Sequence, residues 1–227
     1  MTKKLVFYIF SILLITSCFT KKKSCVNDVN SWDYTVPYTE SQIELINSEK
    51  KNEVIRLFLI TNKEDSVLLR TKSEPITLNS DKEKETTLLL SQRLLATVND
   101  PKNAGVGIAA PQVGILKQMI AVQRFDKKGE PFEIYINPTI KQYSKKTQFC
   151  LEGCLSIPDK MDTTKNRAYA ILLEYDRMDG THEIEMIEAF TAVIFQHEID
   201  HLNGILFTDH LDLEIEEAEE RLRKNNK

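Results

Sequence analysis

The sequence contains few of the residues that interrupt or cross-link a chain. Its 227 residues include 7 glycines, 7 prolines, 4 cysteines and one tryptophan. Four cysteines are too few for a dense disulfide scaffold, and the sequence has no internal repeat or low-complexity block. Hydrophobic residues make up 41% of the chain and charged residues 28%, which is typical of one folded domain with appendages. A domain of this length buries a sizeable core without disulfide bonds.

Large clusters of basic residues are also missing. The formal net charge is −4 and the sequence pI is about 5.7. A protein that binds nucleic acid needs a surface rich in lysine and arginine to neutralise the phosphates. The charge therefore predicts a protein that does not bind nucleic acid.

The longest apolar run, residues 5–15, is shorter than the roughly 20 residues that span a membrane. Lys3 and Lys4 precede it, and small residues lead into Cys18, an order typical of a secretory signal with a cleavage site. The segment also resembles the lipobox of bacterial lipoproteins, in which the cysteine becomes the lipidated first residue. Residues 1–17 are therefore predicted to be a signal peptide and Cys18 a lipid anchor.

This interpretation predicts export to a bacterial membrane, on the periplasmic side or at the outer membrane. A plain signal peptide and an uncleaved anchor are the alternatives. Without a functional signal the protein would be cytoplasmic.

The rest of the chain is predicted to contain a tether with a short N-terminal extension at 18–52 and a catalytic domain at 53–227. Apolar periodicity predicts helices at 83–98, 189–202 and 212–224, and a short helix after Thr39. Strands are predicted at 54–60, 118–124, 132–137 and 168–175. Strands in a run, followed by a long helix, indicate an α+β fold.

The strongest chemical signal is the pair His197 and His201. Two histidines four residues apart lie on one face of a helix and can share a metal ion. Glu198 stands beside the first histidine, where its carboxylate can reach a water molecule at the metal. The apolar residues around these positions indicate a packed helix rather than an exposed polar face.

A catalytic metal site usually has three protein ligands. Zincin proteases often take the third from a glutamate about twenty residues downstream, where Glu219 and Glu220 lie. Those glutamates belong to an acidic, solvent-facing run, whereas Cys154 offers a thiolate suited to a borderline-soft ion. Cys154 is therefore the better candidate for the third ligand, although a cysteine considered alone is more often an inert buried residue.

Three separate motifs resemble those of peptide deformylases, in the same order. They are Gly105-x-Gly107-Ile108-Ala109-Ala110-x-Gln112, Glu152-Gly153-Cys154-Leu155-Ser156 and Gln196-His197-Glu198-x-x-His201. With shorter matches between and around them, the resemblance covers about residues 53–224. It implies a peptide deformylase-like fold in which antiparallel strands pack around a central helix carrying the HExxH motif.

The resemblance also implies roles for individual residues. The expected metal ligands are Cys154, His197 and His201, holding one divalent ion, natively Fe(II), with Zn(II) or Ni(II) also accepted. Glu198 is expected to transfer protons, and Gln112 and the backbone N–H of Leu155 to stabilise the oxyanion. Val106 and Gly107 are expected at the substrate-binding edge. The implied reaction is hydrolysis of N-formyl-methionyl peptides, with release of formate.

The sequence departs from the family pattern after the cysteine motif. Family members often carry an arginine there that contacts the substrate, but this chain has Lys160-Met161-Asp162, and Arg167 comes later. Outside the cytoplasm, Cys150 and Cys154 could also form a disulfide. Two other functions stay open at this point: a metal- or formyl-peptide-binding lipoprotein without turnover, and a zincin-type protease.

Overall fold

The computed structural model describes residues 36–48 and 53–225. The predicted signal peptide, Cys18 and the N-terminal part of the predicted tether lie outside these residues. Within the described ranges, no helix is long and apolar enough to cross a membrane.

The α-helices of the described chain agree largely with the predicted ones. They are α1 (Glu40–Asn47), α2 (Lys63–Leu69), α3 (Asp81–Val98), α4 (Ala189–Leu202) and α5 (Phe207–Asn225). Helix α4 has the predicted bounds, and α3 begins two residues early because Ser80 and Glu83 form a capping box at its start. Helix α5 begins five residues early, where the Asp209 carboxylate accepts a hydrogen bond from Leu206 N at 2.9 Å.

The described strands form two antiparallel sheets. They are β1 (Gly107–Ala109), β2 (Met119–Gln123), β3 (Phe132–Tyr143), β4 (Thr147–Cys154), β5 (Ile157–Ala168), β6 (Ala170–Asp176) and β7 (His182–Glu188). The larger sheet has the order β1-β2-β3-β6-β7, and β4 pairs with β5 in a separate hairpin. The α+β class is therefore confirmed.

Helix α4 packs in the core against the larger sheet. Phe195 and Ile199 share a buried cluster with Ile171 and Leu173 of β6 and Ile187 of β7. The helix is apolar on most of its circumference, as expected for one surrounded by protein. Its few polar side chains are therefore held inside the domain, where they need partners or a chemical role.

The predicted strand at 54–60 is wrong. Phe58 N donates to Gln112 O at 2.8 Å and Ile60 N donates to Ser156 O at 3.0 Å, so its hydrogen bonds go to two separate segments. The segment is fixed instead by Arg56, which makes two hydrogen bonds to Asp65 of α2 at 2.6 and 2.9 Å. The β-branched and aromatic composition favoured a strand here, but these backbone hydrogen bonds do not form a ladder with one neighbouring strand.

The domain also begins earlier than the predicted boundary at residue 53. Tyr38 and Ile46 belong to a core cluster that includes residues of α3. Arg93 of α3 donates to Ile46 O at 2.8 Å, and the buried Lys117 donates to Val36 O at 2.5 Å. Because Ile46 is completely buried, residues 36–48 are part of the folded core rather than a tether.

Candidate metal centre

Three side chains predicted as metal ligands come together at the end of β4. His197 and His201 lie one turn apart on α4, and Cys154 is the last residue of β4. Their ligand atoms all lie within 4.8 Å of one another, and Cys154 Sγ is 3.1 Å from His201 Nε2. One thiolate and two imidazoles fit a divalent ion such as iron or zinc, and three protein ligands leave a position for a reactant.

The surroundings of Cys154 favour its thiolate form. Burial alone would raise the pKa of the thiol, but the neighbouring His201 and His197 hold it well below its ordinary value. The Ser156 backbone N–H also donates to Cys154 Sγ at 3.4 Å. Because only the thiolate binds a metal ion strongly, these contacts prepare the sulfur as a ligand.

A buried carboxylate fixes the orientation of His197. Oε2 of Glu152 lies 2.8 Å from His197 Nδ1, and Arg167 donates to both Glu152 oxygens at 2.8 and 2.9 Å. Arg167 also donates to Asp200 at 2.6 Å. Burial opposes ionisation of Glu152, but His197 and Arg167 hold its pKa well below its usual range. With Nδ1 engaged, the Nε2 atom of His197 is left for the metal.

Glu198 is almost completely buried beside the ligands, with 4% of its surface exposed. Among the described residues, its Oε2 atom has no hydrogen-bond partner. A buried polar atom without a partner is costly, so it points to a water molecule or substrate group at this position. Burial raises the pKa of Glu198 to about 7, against the opposing effect of His197 and His201. A carboxyl group with this pKa exchanges protons readily near neutral pH.

Gln112 points its amide N–H groups toward the same centre. It lies in a 3-10 helix at Ala110–Val113, and its Oε1 atom accepts from Ala109 N at 2.8 Å. Its Nε2 atom is therefore turned toward Cys154 Sγ, at 3.6 Å, and Ser156 Oγ, at 3.3 Å. This arrangement supplies a preorganised donor for negative charge. Leu155 follows Cys154 directly, and its side chain packs against the core cluster that contains Tyr38 and Ile46.

Gly107 brings β1 close to helix α4. A methyl group on Gly107 would lie 2.5 Å from Glu198 Oε1 and 2.9 Å from Ile194 Cγ2. Only glycine fits this close approach without moving the glutamate. Val106 and Gly107 also line a pocket of about 870 Å³ that contains Glu198 and Cys154. The two residues predicted at the substrate edge therefore lie beside the predicted metal ligands.

The structure contradicts the zincin arrangement. Glu219 pairs with Arg223, and Glu220 pairs with Lys224, along the exposed face of α5. Within the described chain, the group of side chains that could hold a metal contains Cys154 and neither of these glutamates.

A disulfide between Cys150 and Cys154 is also contradicted, since both cysteines are free. They lie four residues apart on β4, which corresponds to about 13 Å along a strand. A disulfide needs Cα atoms no more than about 7 Å apart. The strand that presents Cys154 to the metal centre therefore keeps Cys150 out of reach.

Sequence reasoning missed the residues that support the metal ligands. The motif around Cys154 contains Glu152 but does not by itself assign it a role. Residues two apart on a strand share a face, and this spacing places Glu152 on the side of Cys154. The sequence pattern relates Arg167 only to the substrate-contacting arginine of the family. It is buried and bound to Glu152 and Asp200, a position set by the pairing of β4 with β5.

The comparison with known proteins agrees with this geometry. A family profile described as polypeptide deformylase matches residues 58–216. A peptide deformylase from Synechocystis sp. is 42% identical over 125 residues, which cover 54% of this chain and 65% of that relative. A peptide deformylase from Finegoldia magna is 34% identical over 164 residues, covering 70% of this chain and 96% of the relative.

Solved structures show the same similarity. A class I type b peptide deformylase from Acinetobacter baumannii with Met-Ala-Ser bound has a TM-score of 0.58 and 31% identity, over 69% of this chain and 98% of that one. The peptide deformylase of Thermotoga maritima has a TM-score of 0.58 and 31% identity, over 69% and 96% of the two chains. The N-terminal segment at 36–48 lies outside the family match.

Proposed function

The chain belongs to the polypeptide deformylase family and is an enzyme of that class, and on this premise we propose that it hydrolyses N-formyl-methionyl peptides. The products would be formate and a peptide with a free amino terminus. The observation that carries this proposal is the convergence of Cys154, His197 and His201 with Glu198 in one pocket.

We propose that Cys154, His197 and His201 hold one divalent ion, with Fe(II) as the native metal and Zn(II) or Ni(II) as substitutes. The donor set supports this choice because thiolate and imidazole ligands suit these borderline ions. The chemistry that such an ion supplies is Lewis acidity, which lowers the pKa of water and polarises a carbonyl group.

The chain's own residues then move the proton and stabilise charge. Glu198 takes the proton of the attacking water and returns it to the departing amine, a role supported by its buried position beside the three proposed ligands. The Gln112 amide and the Leu155 backbone N–H donate to the oxygen that develops negative charge. Contacts of this kind contribute about 3–4 kcal/mol each to transition-state stabilisation in other hydrolases.

The pocket supports an apolar first residue in the peptide. Val106, Leu155, Ile157, Val193 and Ile194 supply apolar side chains to its wall. A methionine side chain in this space would set the formyl group beside the metal ligands. The Met-Ala-Ser bound to the Acinetobacter baumannii relative supports a peptide ligand of this type.

The test is formate release by the chain loaded anaerobically with Fe(II). We expect formate from a formyl-Met tripeptide, slower turnover of the acetyl-Met analogue, and no cleavage of internal peptide bonds. A full complement of metal with no formate release would instead support the binding protein without turnover. Cleavage of internal bonds would support a protease.

We also propose that the enzyme is exported and anchored through a lipid on Cys18. The support comes from the order of basic, apolar and small residues before Cys18. Cells grown with labelled palmitate should give labelled wild-type protein and unlabelled Cys18→Ala protein. Unlabelled wild-type protein in the cytoplasmic fraction would overturn the proposal.

A further inference from the structure

The outer face of the β4–β5 hairpin carries three exposed apolar side chains. Phe149, Leu151 and Met161 are 75%, 60% and 66% exposed, respectively. On a strand, residues two apart share a face, so Phe149 and Leu151 lie side by side, while Glu152 points inward. Exposed apolar side chains gathered on one face indicate a binding surface more often than side chains that are scattered.

Met161 completes this face from the neighbouring strand. It pairs with Gly153 in the β4–β5 register, two residues along β4 from Leu151 and therefore on the same face. Because Gly153 has no side chain, Met161 lies across the glycine, with its Cγ atom 3.2 Å from the position that a Cβ would occupy. The apolar face thus continues diagonally from Leu151 on β4 to Met161 on β5, with Thr163, directly opposite Leu151, as the neighbouring polar residue.

The apolar face is continuous with the active-site pocket. Leu151, Gly153 and Met161 line the same 870 Å³ pocket as Glu198 and Cys154. Phe149 lies two residues beyond Leu151, about 7 Å farther from the metal ligands along the strand. An extended peptide whose first residue fills the pocket would therefore leave along these side chains.

We propose that Leu151 and Met161, with Phe149 at the outer end, form a subsite for apolar side chains at the second and third residues of the substrate. This inference rests on the proposed deformylase function and specifies the class of formyl-peptide that the enzyme prefers. Contact with an apolar substrate residue removes exposed apolar surface on both partners, whereas a polar residue gains nothing from the same contact.

The test compares two neutral peptides of equal length, formyl-Met-Leu-Leu and formyl-Met-Ser-Ser. We expect kcat/KM to be about tenfold higher for the first, mainly through KM, because partial burial of one apolar side chain is worth roughly that factor. In the double variant Leu151→Ser/Met161→Ser, this ratio should fall to nearly one.

The matched control is Ile184→Ser/Met186→Ser on β7. These side chains are 57% and 59% exposed and lie outside the pocket lining. The control should keep the tenfold ratio. An unchanged ratio in the Leu151/Met161 variant would overturn the subsite. The subsite would also be overturned if the Leu151/Met161 variant kept the tenfold ratio and lost only its association with phospholipid vesicles. The apolar face would then contact a membrane.

A second measurement separates this inference from the proposed function. Binding of the products Met-Leu-Leu and Met-Ser-Ser to the metal-loaded proteins is measured by calorimetry, which needs no turnover. The wild type could bind Met-Leu-Leu more tightly than Met-Ser-Ser without releasing formate from formyl-peptides. If the Leu151/Met161 variant then lost this difference in binding, the subsite would be supported and only the deformylase activity would be refuted. Equal binding of both products to the wild type would overturn the subsite.

Discussion

The Nδ1 atom of His197 lies 2.8 Å from Oε2 of Glu152, and the same carboxylate receives two hydrogen bonds from Arg167. This arrangement links a residue of β5 to a metal ligand on α4 through a glutamate of β4. Since Glu152 stands two residues before Cys154, one strand supplies both a ligand and the carboxylate that orients a second ligand.

Glu152→Gln should therefore weaken metal binding. The amide keeps the shape of the side chain but loses the charge that orients His197 and pairs with Arg167, and such changes reduce affinity about 10- to 100-fold. Competition with a chelator measures the effect. Glu188→Gln, at an exposed residue before α4, is the control and should leave affinity unchanged. Equal affinities in both variants would contradict the orienting role.

Gly107→Ala should impair turnover more than metal binding. The added methyl group would lie 2.5 Å from Glu198 Oε1, so the carboxylate must move. Misplacing a general acid–base group costs about 100-fold or more in kcat. Formate release and metal content are measured on the same preparation. Wild-type turnover in the alanine variant would show that the position of Glu198 is not critical.

Ile46→Ala should destabilise the domain although residue 46 lies outside the family match. Ile46 is completely buried in the core cluster that contains Leu90 and Leu94 of α3. Deleting a buried isoleucine side chain costs about 2–5 kcal/mol in free energy of unfolding. Urea denaturation measures the change, with Ile184→Ala at an exposed position as the control, expected within about 0.5 kcal/mol of wild type. Equal urea midpoints for Ile46→Ala and the wild type would contradict the packing of residues 36–48 in the core.

Asp65→Asn should reduce stability in a pH-dependent way. The hydrogen bonds from Arg56 hold the pKa of Asp65 below its usual value. A depressed folded-state pKa stabilises the protein fully above the unfolded pKa, near 4, and the effect disappears as pH falls through the folded pKa. We expect a loss of about 1 kcal/mol at pH 7, because Arg56 is largely solvent-exposed, and a smaller loss at pH 3. Urea denaturation at both pH values measures the change. An equal loss in free energy of unfolding at pH 7 and pH 3 would contradict the ionic contribution of Asp65.

The sequence was sufficient to predict that the two candidate histidine ligands lie together, because their spacing has a local meaning. His197 and His201 fall on one face of α4, and the helix has the predicted bounds. Cys154 required the family resemblance, since a single cysteine is most often an inert core residue. The structure then brought the three ligand atoms within 4.8 Å of one another.

The supporting contacts were not predictable in the same way. Arg167 reaches Glu152 only because β5 folds back along β4 with register shifts, and these depend on tertiary packing. The segment containing Phe58 was apolar enough for a strand, yet its backbone hydrogen bonds go to a 3-10 helix and to the turn between β4 and β5. Local patterns thus predicted which side chains share one face of α4, whereas the partner of each buried polar group depended on the complete fold.

The central claim is that Glu198 transfers the proton at a centre formed by Cys154, His197 and His201. Its most direct test is formate release by Glu198→Gln, with metal content measured on the same sample. The account predicts a loss of at least about 100-fold in kcat with wild-type metal content, because the amide cannot accept the proton. Wild-type turnover by this variant would contradict the account.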